Sequence, residues 1–140
     1  MALKIQRVDT WAAPLDDAPG RMAAKLKALA SAGVNLEMVV ARRSPEKPGT
    51  GVVFVTPIKG AAAARVAQQA GFRKTVYLHT VRVEGPDKSG ESHRVAQALA
   101  QEGLSLCGLS AAAIDRRFLA HIVLDSEADA AKAVRALRRL

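Results

Sequence analysis

The chain holds a single cysteine, Cys107, in 140 residues. One thiol rules out an intrachain disulfide and a thiolate-built metal cluster, and reads as a small buried apolar residue. Aromatic side chains are also scarce, at 4% of the chain. Phe54, Tyr77 and Phe118 are scattered through apolar runs, whereas sheets that bind RNA gather aromatics in a Gly-Phe-rich strand motif to stack the bases. No run approaches the about 18 consecutive apolar residues of a membrane span. The start, residues 1–8, alternates instead of showing a charged segment followed by an apolar one, so the expectation is a cytoplasmic protein with no membrane partner.

Catalytic patterns are missing as well. His79, His93 and His121 have no His or Cys three or four positions on, and neither HExxH nor Gly-x-Ser-x-Gly occurs. Gly49-Thr50-Gly51 lacks the Lys-Ser/Thr of a phosphate-binding loop and reads as a turn. No nucleophile, base and orienting group can be assembled, so the expectation is a protein that is not an enzyme and has no catalytic residues, cofactor or metal. Acidic residues are outnumbered, 13 against 21 basic, giving a net charge of +8. Such a surface attracts phosphate whatever its sequence, which keeps nucleic acid open as a partner. The basic residues gather at Arg42-Arg43, at Arg116-Arg117 and in the tail at Arg135, Arg138 and Arg139.

What is abundant is apolar content, 49%, enough to bury a core, and it is arranged in a repeat. Asp17, Gly20, Ala28, Leu29, Ala30, Gly33 and Leu36 recur as Asp87, Gly90, Ala98, Leu99, Ala100, Gly103 and Leu106, each pair 70 apart. The register fixes a tandem duplication. In the first copy, residues 3–8 alternate as a strand, with Trp11 following, and residues 12–16 read as a loop. Residues 21–32 form a helix with Met22, Leu26, Leu29 and Ala30 on one face, ended by Gly33. A second strand covers 34–41, a Pro/Gly-rich hairpin loop 42–51, and a third strand Val52 to Val55, where four apolar residues in a row imply cover on both faces. A second helix over 61–70, stopped by Gly71, and a short strand at 72–75 complete the unit.

The order β-α-β-β-α-β predicts an α+β fold with two ferredoxin-like units in tandem, an antiparallel sheet in each with helices on one face. The division falls at 1–75 and 76–140. In the second copy, strands are expected over 76–83, 104–113 and 117–125, a loop over 84–89, and helices over 91–101 and 126–138. Ser126 and Asp129 have the form of a capping box. The inward positions Ala130, Ala133, Val134 and Leu137 lie 67 beyond Ala63, Val66, Ala67 and Ala70, so three residues are missing between the helices, from the hairpin. A fourth strand in the second copy is missing or very short, which leaves a sheet edge to be paired or covered.

The start of each first helix is the candidate site. Asp17 is placed to cap the helix, Pro19 lies in its first turn, and Gly20 leaves the backbone N–H groups accessible to a carboxylate or phosphate. A βαββαβ unit whose first loop reads Asp17-x-Pro19-Gly20 and whose helix ends Ala32-Gly33-Val34-Asn35-Leu36 resembles the ACT domain, and the whole chain resembles a tandem ACT protein. The resemblance implies a regulatory module that binds an amino acid or related effector where two units pair their sheets, as a homodimer or with a regulated enzyme as partner. It implies ligand contacts from Asp17, Ala18, Pro19, Gly20, Arg21 and Asn35. In the second copy the matching residues are Asp87, Lys88, Ser89, Gly90 and Ser105, with Ser89 in place of Pro and Ser105 in place of Asn. The first copy is therefore expected to bind better. A basic nucleic-acid-binding module of the same fold class and an assembly module without ligand are the alternatives.

Overall fold

The structure, a computed structural model, describes residues 3–140. Met1 and Ala2, the start of the expected first unit, lie outside the described residues. The chain runs β1 (Lys4–Val8), β2 (Trp11–Asp16), α1 (Arg21–Ser31), β3 (Met38–Arg43), β4 (Thr50–Thr56), α2 (Ala61–Gln69), β5 (Arg73–Lys74), β6 (His79–Pro86), α3 (Glu91–Gln101), β7 (Gly108–Ile114), β8 (Arg117–Leu124) and α4 (Glu127–Arg138). It separates into a continuous unit, Asp9–Thr75, and a split unit made of the chain up to Val8 together with Val76–Leu140.

In the continuous unit the antiparallel sheet has the order β3-β4-β2-β5. Period-two alternation sends Trp11 and Ala13 of β2 and Val53 and Val55 of β4 to one face, where they meet Leu29 of α1, Ala67 of α2 and the fully buried Phe72. Burying one such ring contributes about 2–3 kcal/mol. Val52 and Phe54 on the opposite face are half-buried, and the Arg42 guanidinium lies 5.9 Å from the Phe54 ring centre. Ala30, expected on the inner face of α1, is exposed.

Three boundaries differ from the sequence expectation. Residues 12–16, expected as a loop, are strand β2, with Pro14 opposite Val52. A proline is accommodated there because β5 pairs with only Trp11 and Ala12, leaving that side of β2 open beyond them. The second strand begins at Met38 rather than 34, so Asn35 precedes it. The hairpin loop is shorter than 42–51, since β3 keeps pairing through Arg43 and β4 starts at Thr50.

The split unit repeats this plan in the order β1-β6-β8-β7. Val81 and Val83, then Phe118, Ala120, Ile122 and Leu124, face Val95 and Leu99 of α3 and Ala130, Ala133, Val134 and Leu137 of α4. Ser126 caps α4, accepting a hydrogen bond from the Asp129 N–H at 3.0 Å. The strand expected over 76–83 is displaced to β6, whose ladder with β8 runs on through Glu84, Gly85 and Pro86. Similarly, the strand expected from 104 starts at Gly108, and Cys107, expected to be buried, lies exposed just before it. The three residues absent from the second copy are in the hairpin. Residues 44–49 join β3 to β4, whereas only Asp115 and Arg116 join β7 to β8, both at positive φ as a two-residue turn requires.

The first strand is the main correction. Expected as the opening of the first copy, β1 pairs instead with β6, Ile5 opposite Val83. It lies beside β6 as β5 lies beside β2, and so supplies the fourth strand the second copy lacks. Ile5 is 5% exposed in the split unit's core. Arg7 binds Glu127 with both guanidinium nitrogens, at 2.5 and 3.1 Å. The edge is paired by the chain's own beginning.

Candidate functional site

Each unit presents one sheet end where a central strand runs into a helix. At the end of β2 the Ala18 N–H bonds the Asp16 carbonyl at 2.9 Å and the Arg21 N–H bonds the Ala18 carbonyl at 3.3 Å. These turns consume the residues between strand and helix, so Gly20, in the left-handed conformation at φ 85°, occupies the cap position of α1. Asp17, expected to cap the helix, does not reach it. Its carboxylate binds Arg43 Nε at 2.7 Å, and its N–H bonds the Gly49 carbonyl at 3.0 Å. No side chain caps α1, and its first turn holds no acidic residue. The opening N–H groups of such a helix lack intrahelical partners and carry the positive end of its dipole.

The split unit reproduces the turn. Asp87 N–H bonds the Arg116 carbonyl at 2.8 Å, Glu91 N–H bonds the Lys88 carbonyl at 3.1 Å, and Gly90 caps α3 at φ 82° without a side-chain bond. At both glycines a Cβ would meet nothing within 4 Å, so the approach to the helix start is open.

Beside α3 this end of the split unit forms a shallow, open cavity of about 280 Å³. Asp87, Lys88 and Gly90 form its loop side, and Glu91 and Ser92 the helix side. The methyl-bearing strand Ala111, Ala112 and Ala113, with Phe118, forms the apolar wall. The volume is at the low end for ligand pockets, about 300 Å³, and suits a small molecule. The first copy was expected to hold the better site; this cavity belongs to the second. Ser89 is exposed and Ser105 lies beyond α3, upstream of β7. Phe118 is buried in the core, so it offers no stacking surface for bases.

Asn35 and Ser105 are not brought to the loops of their own units. The loop end of the sheet is marked by the pairs Arg43–Gly51 and Asp16–Thr50, whereas Met38 pairs with Thr56 at the far end, and Asn35 precedes Met38. A six-residue strand spans about 20 Å. Ser105 stands likewise, ahead of Gly108, which pairs with Val123, while the loop end pairs Pro86 with Arg117.

Sequence reasoning missed Glu91. Its side chain is 3% exposed and bonds Arg94 at 2.7 Å through Oε1. The 70-residue register sets it opposite Arg21, an exposed residue of opposite charge, and that inversion was the available signal. Nearby, Arg117 is held at 2.7 Å by Glu84, which also binds Arg82 at 2.8 Å. The hydrogen bond from Arg117, then that from Arg82, holds the Glu84 carboxyl below its ordinary value. No group of three or more His, Cys, Asp or Glu among the described residues could hold a metal ion. No helix among them is long and apolar enough to cross a membrane.

No protein-family model and no curated protein matches the sequence. Solved structures do match. A protein from Bacteroides thetaiotaomicron superposes with a TM-score of 0.77 at 14% identity, over 94% of this chain and 88% of that one. The regulatory subunit of aspartate kinase from Thermus thermophilus superposes with a TM-score of 0.64 at 18% identity, over 99% of this chain and 96% of that one. In fold, the chain is similar to that regulatory subunit, in keeping with the tandem ACT resemblance of its sequence. Aspartate kinase from Clostridium acetobutylicum matches with a TM-score of 0.60 at 12% identity, over 98% of this chain but 33% of that longer one. The fold is thus shared with a regulatory subunit and with a portion of a longer aspartate kinase chain.

Proposed function

We propose that the chain is a regulatory protein that binds an amino acid or closely related effector at the βα loops and helix starts of its ACT units. The proposed contacts are Asp17, Ala18, Pro19, Gly20, Arg21 and Asn35 in the continuous unit and Asp87, Lys88, Ser89, Gly90 and Ser105 in the split unit. What carries the reading is the cavity beside Gly90: an uncapped helix start, charged groups of both signs and an apolar wall. A zwitterion needs donors for its carboxylate and an acceptor for its ammonium, within reach of each other. The shared fold with a regulatory subunit supports the same reading.

The effector's coupling to a partner follows from the sheet edges. β3 and β7 each end their sheet, with Val39 and Leu109 45% and 47% exposed. Such edges invite pairing. Antiparallel pairing of β3 with β3 of a second copy sets the beginning of one strand against the end of the other. Asn35 would then approach the partner copy's loop, completing a site that one unit leaves incomplete. A ligand held between two copies favours the paired state by its differential affinity, and a regulated enzyme would read that state.

Amide shifts recorded while amino acids are added to the isotopically labelled chain test the site. Movement centred on Gly20, Gly90 and their neighbours is expected. Shifts confined to other surfaces would overturn the placement.

A further inference from the structure

We infer that the helix face of the continuous unit, centred on Lys27, Lys59 and Arg65, binds the phosphate backbone of a nucleic-acid duplex without regard to its sequence. This surface is not the amino-acid site proposed above. Residues 18–36 and 57–75, which carry α1 and α2, contain no Asp or Glu. The unit's carboxylates, Asp9, Asp16, Asp17, Glu37 and Glu46, all lie in strands or in the loops at their ends, and Asp17 is engaged by Arg43. Lys27, Lys59 and Arg65 are exposed and have no ion-pair partner among the described residues. Lys27 stands two positions before the buried Leu29 of α1, and Arg65 two before the buried Ala67 of α2. Two positions are about 200° of helix, so both cations point away from the sheet.

The placement runs against the helices' own electrostatics. A helix start favours anions, yet Arg21 opens α1, Lys59 directly precedes the cap of α2, and neither first turn holds an acidic residue. The split unit obeys the rule, with Glu91 in the first turn of α3, Glu127 and Asp129 in that of α4, and Arg135 and Arg138 in the last turn of α4. A stabilising arrangement used in one copy is forgone in the other, as expected where the charge serves a partner.

The rest of the face selects among anionic partners. Its other exposed side chains are small or neutral, Ala24, Ala61 and Gln68 among them, and none of the exposed large apolar residues lies on α1 or α2. A protein partner needs apolar or aromatic anchors at the centre of its contact. A single strand needs rings on which to stack its bases, and neither helix holds an aromatic residue. A duplex needs only cations and polar groups for its phosphates. It carries one charge per about 1.7 Å of its axis, so the 11 residues of α1, about 16 Å in length, pass several phosphates.

Fluorescence anisotropy of the full chain with a labelled DNA duplex of about 20 base pairs, between about 50 and 200 mM NaCl, tests this. Binding should weaken steeply with salt, and two duplexes of unrelated sequence should agree within about twofold. Changing Lys27→Gln, Lys59→Gln and Arg65→Gln together should weaken binding about tenfold or more at the lowest salt. The slope of log Kd against log salt should fall by about 2 to 3, at about 0.9 per phosphate contact. Lys4→Gln, Lys132→Gln and Arg135→Gln together remove the same charge from exposed positions of the split unit and should bind as the unaltered chain does. Equal losses in the two triple variants would mean that net charge alone attracts the duplex, and would overturn the surface. Amide shifts of the unaltered chain on adding the duplex give a second reading: they should centre on 21–31 and 61–69, and shifts centred on α3 and α4 or on the strands overturn it. Equal affinity for poly-L-glutamate or for phosphatidylserine vesicles, or tighter binding of a single strand, overturns the choice of a duplex. None of these results depends on whether the chain binds an amino acid.

Discussion

Gly90 and Gly20 show how one residue type shapes the site. Both hold φ above +80°, a region where a side chain strains the backbone, and both have open space where a Cβ would stand. Gly90→Ala therefore costs about 1–2 kcal/mol from backbone strain alone, visible as a lower midpoint in denaturant unfolding, with no clash added. Glu84 gives a second residue-scale prediction. Its carboxyl is held below the ordinary value of 4.5 by Arg117 and Arg82, so the folded chain binds fewer protons there than the unfolded one. The resulting stability is present above about pH 4.5 and is lost as pH falls through the lowered folded value. Glu84→Gln should flatten that part of the pH–stability curve relative to the unaltered chain; an identical curve would show that the pair contributes nothing.

The elements were largely legible because apolar periodicity and the 70-residue register constrain each other. The helices over 21–32, 61–70, 91–101 and 126–138 were found to within a residue or two, and the three-residue deletion was placed in the correct hairpin. Pairing was not legible. Alternation at residues 3–8 marks a strand, but nothing in it names β6 over β2 as the neighbour. Strand ends were misplaced where pairing, not propensity, sets them: β6 keeps its ladder through Gly85 and Pro86, residues that read as loop. The same limit applies to the site. Gly20 and Gly90 are visible in the sequence, whereas the burial of Glu91 is not. The pairing of β1 yields a prediction. Ile5→Ala should cost about 2–4 kcal/mol, as truncation in a packed core does. The loss should fall on amides of 76–140, seventy and more residues away in sequence, with those of 9–75 unchanged in hydrogen exchange.

At the scale of the whole molecule, the chain carries two copies of one fold that differ at the position where a ligand would meet them. One helix start carries an exposed arginine and no acidic residue in its first turn; the other carries a buried glutamate above a small cavity. Under the proposed function the two sites would differ in affinity, and the exposed edges of β3 and β7 are the surfaces through which pairing with a second copy would pass. Isothermal titration calorimetry of the full chain against each proteinogenic amino acid in turn is the most direct test. Saturable binding by at least one of them, with a dissociation constant in the millimolar range or tighter, is the expected result; absence of binding by all of them at millimolar concentration would contradict the sensor function itself.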